Sequence, residues 1–232
     1  MQIGRENPTT HTLDAIRSED RGRPSRLRPS YQRVRSFTDE LVEPLEVEDF
    51  VVQTMEDVSP TKWHLAHTSW FFETFVLKEF LPNYRLFNSD FPYLFNSYYV
   101  QAGERHCRDR RGYVSRPTVK EVMAYRAYVD EQMDRLFDDV EDERAHSVIE
   151  IGIHHEQQHQ ELILTDIKHV LSVNPLRPVY RPFKSESAGS VPGLSWMHFD
   201  EGLYEVGHDG RGYAYDNEGP RHRTYLQDFL LA

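Results

Sequence analysis

Apolar residues recur at helical spacing through most of the chain up to Val173, and the breaks between those runs divide it into elements. Residues 30–57 carry a helical period interrupted near Pro44. Ser59-Pro60 has the form of a helix start, with Ser59 as N-cap and Pro60 at the first helical position. That helix is predicted to run to Phe80 and stop before Pro82. Residues 82–116 are aromatic, arginine-rich and aperiodic, and long for a simple connection; Phe91, Tyr93, Phe95, Tyr98 and Tyr99 argue for an ordered, functional loop. Pro117 opens a second long helix to about Val140, and a third is predicted from about Glu143 to Val173, ended by Asn174-Pro175. With the N-terminal helix these make an up-and-down four-helix bundle, so the expected class is mainly α. Residues 175–195, rich in Pro, Ser and Gly, read as a linker. Residues 196–232 hold short β-like runs such as Gly202–Gly207 and look like the opening of a second domain, too short to bury a core alone.

Projecting the helices at about 100° per residue places the chemistry. On the third helix His155 and His159 are one turn apart, about 40° round from each other, between Val148, Ile151 and Leu162 on an apolar stripe. Gln158 borders that stripe, so its amide can reach a group held there, while His154 and Glu161 point away. On the helix after Ser59, His67 lies between Trp63, Phe71 and Thr74 on another apolar stripe, with His64 nearer its edge. Neutral imidazoles buried without partners cost roughly 1–3 kcal/mol each, and one shared metal ion satisfies all three at once. His67, His155 and His159 are therefore the predicted metal ligands.

Composition narrows the partners. Lys and Arg number 27 against 38 Asp and Glu, a net charge of -11, which argues against phosphate-backbone binding and so against nucleic acid. The arginines concentrate in the first 35 residues; residues 1–29 read as a disordered, solvated tail. No apolar run approaches the roughly 20 residues of a membrane span, and the N-terminus lacks a signal-peptide core. The single cysteine, Cys107, rules out an internal disulfide and suits a reducing cytoplasm, the expected location.

Residues 155–159 also spell His-Glu-Gln-Gln-His, the zinc-protease pattern with Glu156 as general base. The longer form of that motif fails, because Leu162 and Thr165 stand where its Gly and third His belong. No downstream helix supplies a glutamate ligand, since Glu186 falls in the linker, and Glu156, 100° round from His155, reads as a solvent-facing charge. Three neutral imidazoles with open positions suit zinc, iron or nickel, and leave a divalent ion its full charge for a thiolate, water or dioxygen.

Two longer motifs carry a family resemblance. Ser59-Pro-Thr-Lys-Trp-His-Leu-Ala-His67-Thr-Ser-Trp-Phe-Phe-Glu73 resembles the first metal motif of the ergothioneine-pathway sulfoxide synthases, and His155-Glu-Gln-Gln-His159-Gln-Glu161 their second. Gly202–Gly207, Tyr213–His222 and Phe229 resemble the start of that family's second domain. The resemblance spans about residues 30–232. It implies a DinB-like bundle over 30–174, then, after the linker, the incomplete start of an α+β domain of the formylglycine-generating-enzyme type over 196–232. It implies an oxidoreductase with non-haem iron(II) on His67, His155 and His159. Its substrates would be hercynine, a cysteinyl thiol (cysteine or γ-glutamylcysteine) and dioxygen, with histidine as the acceptor in a related ovothiol enzyme. Gln158 would contact the substrate imidazole, and Arg108 and Arg111 the carboxylates of the thiol substrate, where bidentate pairing favours arginine.

Chains of that family are longer. The expectation is therefore a fragment, a truncated gene product or one of two polypeptides, with the catalytic tyrosine outside it and no catalytic residue assigned within it. Two other readings stay open: a stand-alone DinB-like zinc-dependent thiol transferase or hydrolase, and a non-catalytic metal-stabilised helical module paired with a separate subunit.

Overall fold

The computed structural model describes residues 23–97, 103–184, 189 and 192–232. Residues 1–22, Tyr98, Tyr99 and Glu186 lie outside these, so the tail before Arg23 and the roles of those three side chains are not described. The chain divides into two units, with the boundary between Pro182 and Phe183.

The first unit is a bundle of four long helical segments. Helix α1 (Arg23–Val42) starts inside the expected disordered tail and carries Pro29 in its second turn. Helix α2 (Thr61–Phe72) continues through a π-helical turn (Glu73–Leu77) and a last α turn (Lys78–Phe80). After a short helix α3 (Phe91–Phe95) come α4 (Val119–Asp139) and α5 (Glu143–Val173). Helix α1 packs on α5, and α2 packs on both α4 and α5. Polar contacts close the ring between α1 and α4: Arg28 reaches Asp134 and Asp138, the Tyr31 hydroxyl donates to Asp130 at 2.5 Å, and Arg35 pairs with Asp130 at 2.7 Å. Those bonds explain α1's early start. Its arginines are solvated in sequence terms, but they meet carboxylates spaced one turn apart along α4.

The helix ends follow local chemistry. Thr118 caps α4 with a reciprocal bond to Glu121, so the cap lies one residue after the expected Pro117 start. Asp142 caps α5, whose limits match the predicted ones. Helix α2 differs from its prediction: Pro60 occupies the cap position, and the Ser59 hydroxyl accepts from Arg111 Nη1 at 2.8 Å instead of capping.

Helix α2 has no solvent face. Every residue from Thr61 to Phe72 is buried, so the stripe expected around His67 is one side of a central helix, and His64 is interior rather than at an edge. Its polar groups are met from elsewhere. Lys62 Nζ donates to the carbonyls of Val114 and Pro117, and Glu73 accepts from the hydroxyls of Tyr84 and Tyr125 and from the Phe87 N–H. The apolar core around it includes Tyr31, Leu65, Trp70, Phe72, Val129 and Ile149. Gly152 lets α5 approach: a Cβ there would lie 2.5 Å from the Phe72 ring. Phe91 and Phe95 are buried and Tyr93 is exposed, while Arg108–Tyr113 form a 3-10 turn.

The buried face of α5 departs from the predicted stripe. It runs through Ile149, Gly152, Glu156, Ile163 and Ile167, whereas Ile151 and Leu162 are each 42% exposed. Its centre is Glu156, and His155 and His159 occupy one shoulder. A charged residue does not register as core in a hydrophobicity pattern; here two arginines from other helices neutralise it.

The first part of the expected linker belongs to the helical unit. Tyr180 packs beside Val58, Ile167 and Leu171, and its hydroxyl donates to the Leu41 carbonyl at 2.5 Å. The second unit is a small antiparallel arrangement. Strands β2 (Gly202–Val206) and β3 (His222–Leu226) pair with each other, as do β1 (Met197–Phe199) and β4 (Phe229–Leu231). Among its described residues none is buried.

Candidate metal centre

Three imidazoles from two helices meet inside the bundle. His67 comes from α2, and His155 and His159 from successive turns of α5. One nitrogen of each can be chosen so that all lie within 4.8 Å of one another. The Nε2 atoms of His67 and His155 are 3.1 Å apart. At metal–nitrogen distances of about 2.0–2.1 Å, ligands at right angles are about 3 Å apart, so that spacing suits a shared ion. The three rings are 1%, 8% and 8% exposed, enclosed yet reachable from one side.

The surroundings keep these rings neutral. Burial lowers the pKa of His67 well below the usual histidine value, with His155 adding repulsion. Burial brings His155 down to about 4, and it holds His159 well below its usual range, reinforced by His67 and His155. Neutral rings offer lone pairs without first losing a proton. The His67 tautomer is set from outside: its Nδ1 donates to the Phe95 carbonyl at 2.6 Å, which leaves Nε2 as the donor to an ion. Trp63 and Trp70 stack against that ring with centroids at 4.5 and 5.3 Å, fixing its plane.

The triad forms the floor of a cavity of about 520 Å³. Its walls include Gln158, Arg108 and Arg111, the residues singled out from sequence for substrate contacts, together with Ser59 and Ser97. Arg111 is the better anchored of the two arginines. Its guanidinium lies 3.3 Å from the Trp63 ring centroid, and its Nη1 and Nη2 donate to the hydroxyls of Ser59 and Ser97. Arg108 is more exposed and donates to the Asp57 carbonyl. Gln158 is exposed at the cavity rim.

Two residues outside the predicted set complete the site. His64 places its Nδ1 2.8 Å from Nδ1 of His159 and its Nε2 2.9 Å from Asp166 Oδ2. The helical period held a clue to Asp166, which follows His159 by two turns on the same face of α5.

Glu156, by contrast, does not face the cavity. Its carboxylate is fully buried, accepting from Thr38 at 2.7 Å, Arg126 at 2.8 Å and Arg35 at 3.1 Å. Despite the penalty of burial, the Arg126 and Arg35 guanidiniums hold its pKa at about 2. A carboxylate so placed is a structural counter-ion, and the metalloprotease reading loses its general base.

The donor set therefore fits a divalent transition ion, and its identity is not fixed by three imidazoles alone. Among the described residues no helix is long and apolar enough to cross a membrane. No curated protein matches the chain. The model of the DinB superfamily matches residues 30–163, which cover α2, α4, most of α1 and α5 and all three histidines. On that match, over more than half its length, the chain belongs to the DinB superfamily.

Proposed function

We propose that this DinB-type bundle is the metal-binding part of a non-haem iron(II) sulfoxide synthase of the ergothioneine type. The reaction joins a cysteinyl sulfur to carbon 2 of the imidazole of hercynine. The new C–S bond replaces one C–H and one S–H bond. Dioxygen takes the four electrons, with one oxygen atom ending on sulfur and the other in water.

The observation that carries this reading is the joint lining of one cavity by a neutral three-histidine set, two arginines and a glutamine. His67, His155 and His159 would hold iron(II), which would supply Lewis-acidic, redox-active chemistry toward a thiolate and dioxygen. The chain's own side chains then have distinct tasks. Arg111, held on Trp63 by stacking and by two serine hydroxyls, presents a fixed cation to a substrate carboxylate. Arg108, nearer the rim, offers a second charge to a substrate with another carboxylate, such as γ-glutamylcysteine. Gln158 offers an amide to the acceptor imidazole. Trp63, Trp70 and Phe71 back the histidine rings and keep water from that side.

The test is dioxygen uptake by the full-length gene product loaded with iron(II), supplied with hercynine and either cysteine or γ-glutamylcysteine. The expected result is uptake that requires both organic substrates, with a product mass equal to their sum plus one oxygen atom less two hydrogens. Stoichiometric zinc in the isolated protein, with no thiol-dependent uptake after iron loading, would instead support a zinc-dependent thiol transferase.

A further inference from the structure

The connection behind His159 is built differently from the one behind His67. Asp166 Oδ2 accepts from the Ser59 backbone N–H at 2.9 Å and faces His64 Nε2 at the same distance. A carboxylate can only accept, so Nε2 of His64 carries a proton. His64 is fully enclosed, and a His159 that gives Nε2 to an ion carries its own proton on Nδ1, so the facing Nδ1 of His64 has to be the acceptor and the His64 ring neutral. A neutral ring protonated on Nε2 has a lone pair on Nδ1. That lone pair, 2.8 Å from His159 Nδ1, accepts the His159 proton. His159 is then left with an unprotonated Nε2. The order carboxylate, imidazole, imidazole thus runs from α5 to α2 and back to α5.

We propose that His64 and Asp166 are positioning residues that lock His159 in its Nδ1–H tautomer and strengthen its Nε2 as a metal donor. This rests on the triad being a metal centre, and not on which reaction the centre performs. The pair lines the same cavity as the triad, on the Nδ1 side of His159. Its effect passes through one ring: it orients His159 and withdraws its Nδ1 proton toward a carboxylate, which makes Nε2 more basic. His67 receives only a neutral carbonyl in the equivalent place, so the two ligands differ in donor strength.

Titration of the whole chain with cobalt(II), followed by its visible absorption, tests this without reference to turnover. Asp166→Asn keeps the shape and an acceptor but removes the charge, and is expected to weaken cobalt binding about 10-fold. His64→Leu removes the acceptor at His159 and is expected to weaken it about 100-fold, with a shifted absorption band; losses of 10–100-fold are usual for such outer partners. His64→Asn restores an acceptor near the old Nδ1 position and is expected to recover part of that loss. This ordering follows the acceptor at His159, and a merely space-filling role would not produce it. Thermal melts of the metal-free variants identify any that fail to fold, and His64→Asn against Asp166→Asn then carries the comparison. Equal cobalt affinity and an unchanged spectrum in all folded variants would overturn the pair while leaving the metal centre standing. Absence of cobalt binding by the unsubstituted chain would overturn the metal centre and the pair together.

Discussion

Replacing Glu156 with glutamine is expected to lower the unfolding free energy of the chain by about 3–5 kcal/mol, the usual cost of removing one partner from a buried ion pair. The substitution preserves volume, so the loss is electrostatic. It leaves Arg35, 3% exposed, and Arg126, 2% exposed, without the shared anion between them. Arg35 retains Asp130, and Arg126 retains Asp39, which is about half exposed. Those remaining pairs favour the lower end of the range. Urea unfolding at neutral pH measures the effect directly. Because the carboxylate points into the bundle and not into the cavity, metal content should be unchanged in the folded variant. A shift below about 1 kcal/mol would show that the guanidiniums reach solvent. Loss of metal without loss of stability would return Glu156 to the cavity.

The second large effect is the response of the metal-free protein to acid. His155 has an ordinary pKa near 6.5 when unfolded and about 4 when folded. Between those values the unfolded chain binds a proton that the folded chain refuses, so stability is full above about pH 6.5 and is lost as the pH falls toward 4. For His155 alone the loss is about 3 kcal/mol at the lower end, taking about 1.4 kcal/mol per pKa unit. His67 and His159 are displaced in the same direction and by the same main cause, burial. Glu156 adds a separate window: its carboxylate is held down from 4.5 to about 2, so its contribution persists above pH 4.5 and fades below it. Thermal melts from pH 7.5 to 4 should therefore show a steep decline, and alanine at His155 should flatten it. A midpoint that holds steady across that range would mean the three rings take up protons in the folded state.

The parts of the fold that sequence reveals are those whose determinants are local. The limits of α5 are written in Asp142, Asn174 and Pro175, and the triad follows from a four-residue spacing and a histidine among apolar neighbours. The parts it conceals depend on partners far along the chain. Glu156 reads as a solvent-facing charge until Arg35 and Arg126 are brought to it from two other helices. His64 looks peripheral because α2 carries Lys62, Thr68, Ser69 and Glu73, polar residues that suggest an exposed side. In the fold each meets a carbonyl, a hydroxyl or a guanidinium inside. The start of α1 was hidden by its own arginines. Its signal was the spacing of Asp130, Asp134 and Asp138 on α4, a row of acids that asks for a basic partner helix.

The central claim is that one ion sits on His67, His155 and His159. X-ray absorption at the metal edge of the purified full chain, together with its metal-to-protein ratio, tests it most directly. The claim predicts one transition ion per chain with three imidazole nitrogens in its inner shell at about 2.0–2.2 Å, and one imidazole fewer, or no ion, after alanine at any of the three. A chain that folds without stoichiometric metal, or whose ion keeps the same shell through all three substitutions, would contradict it.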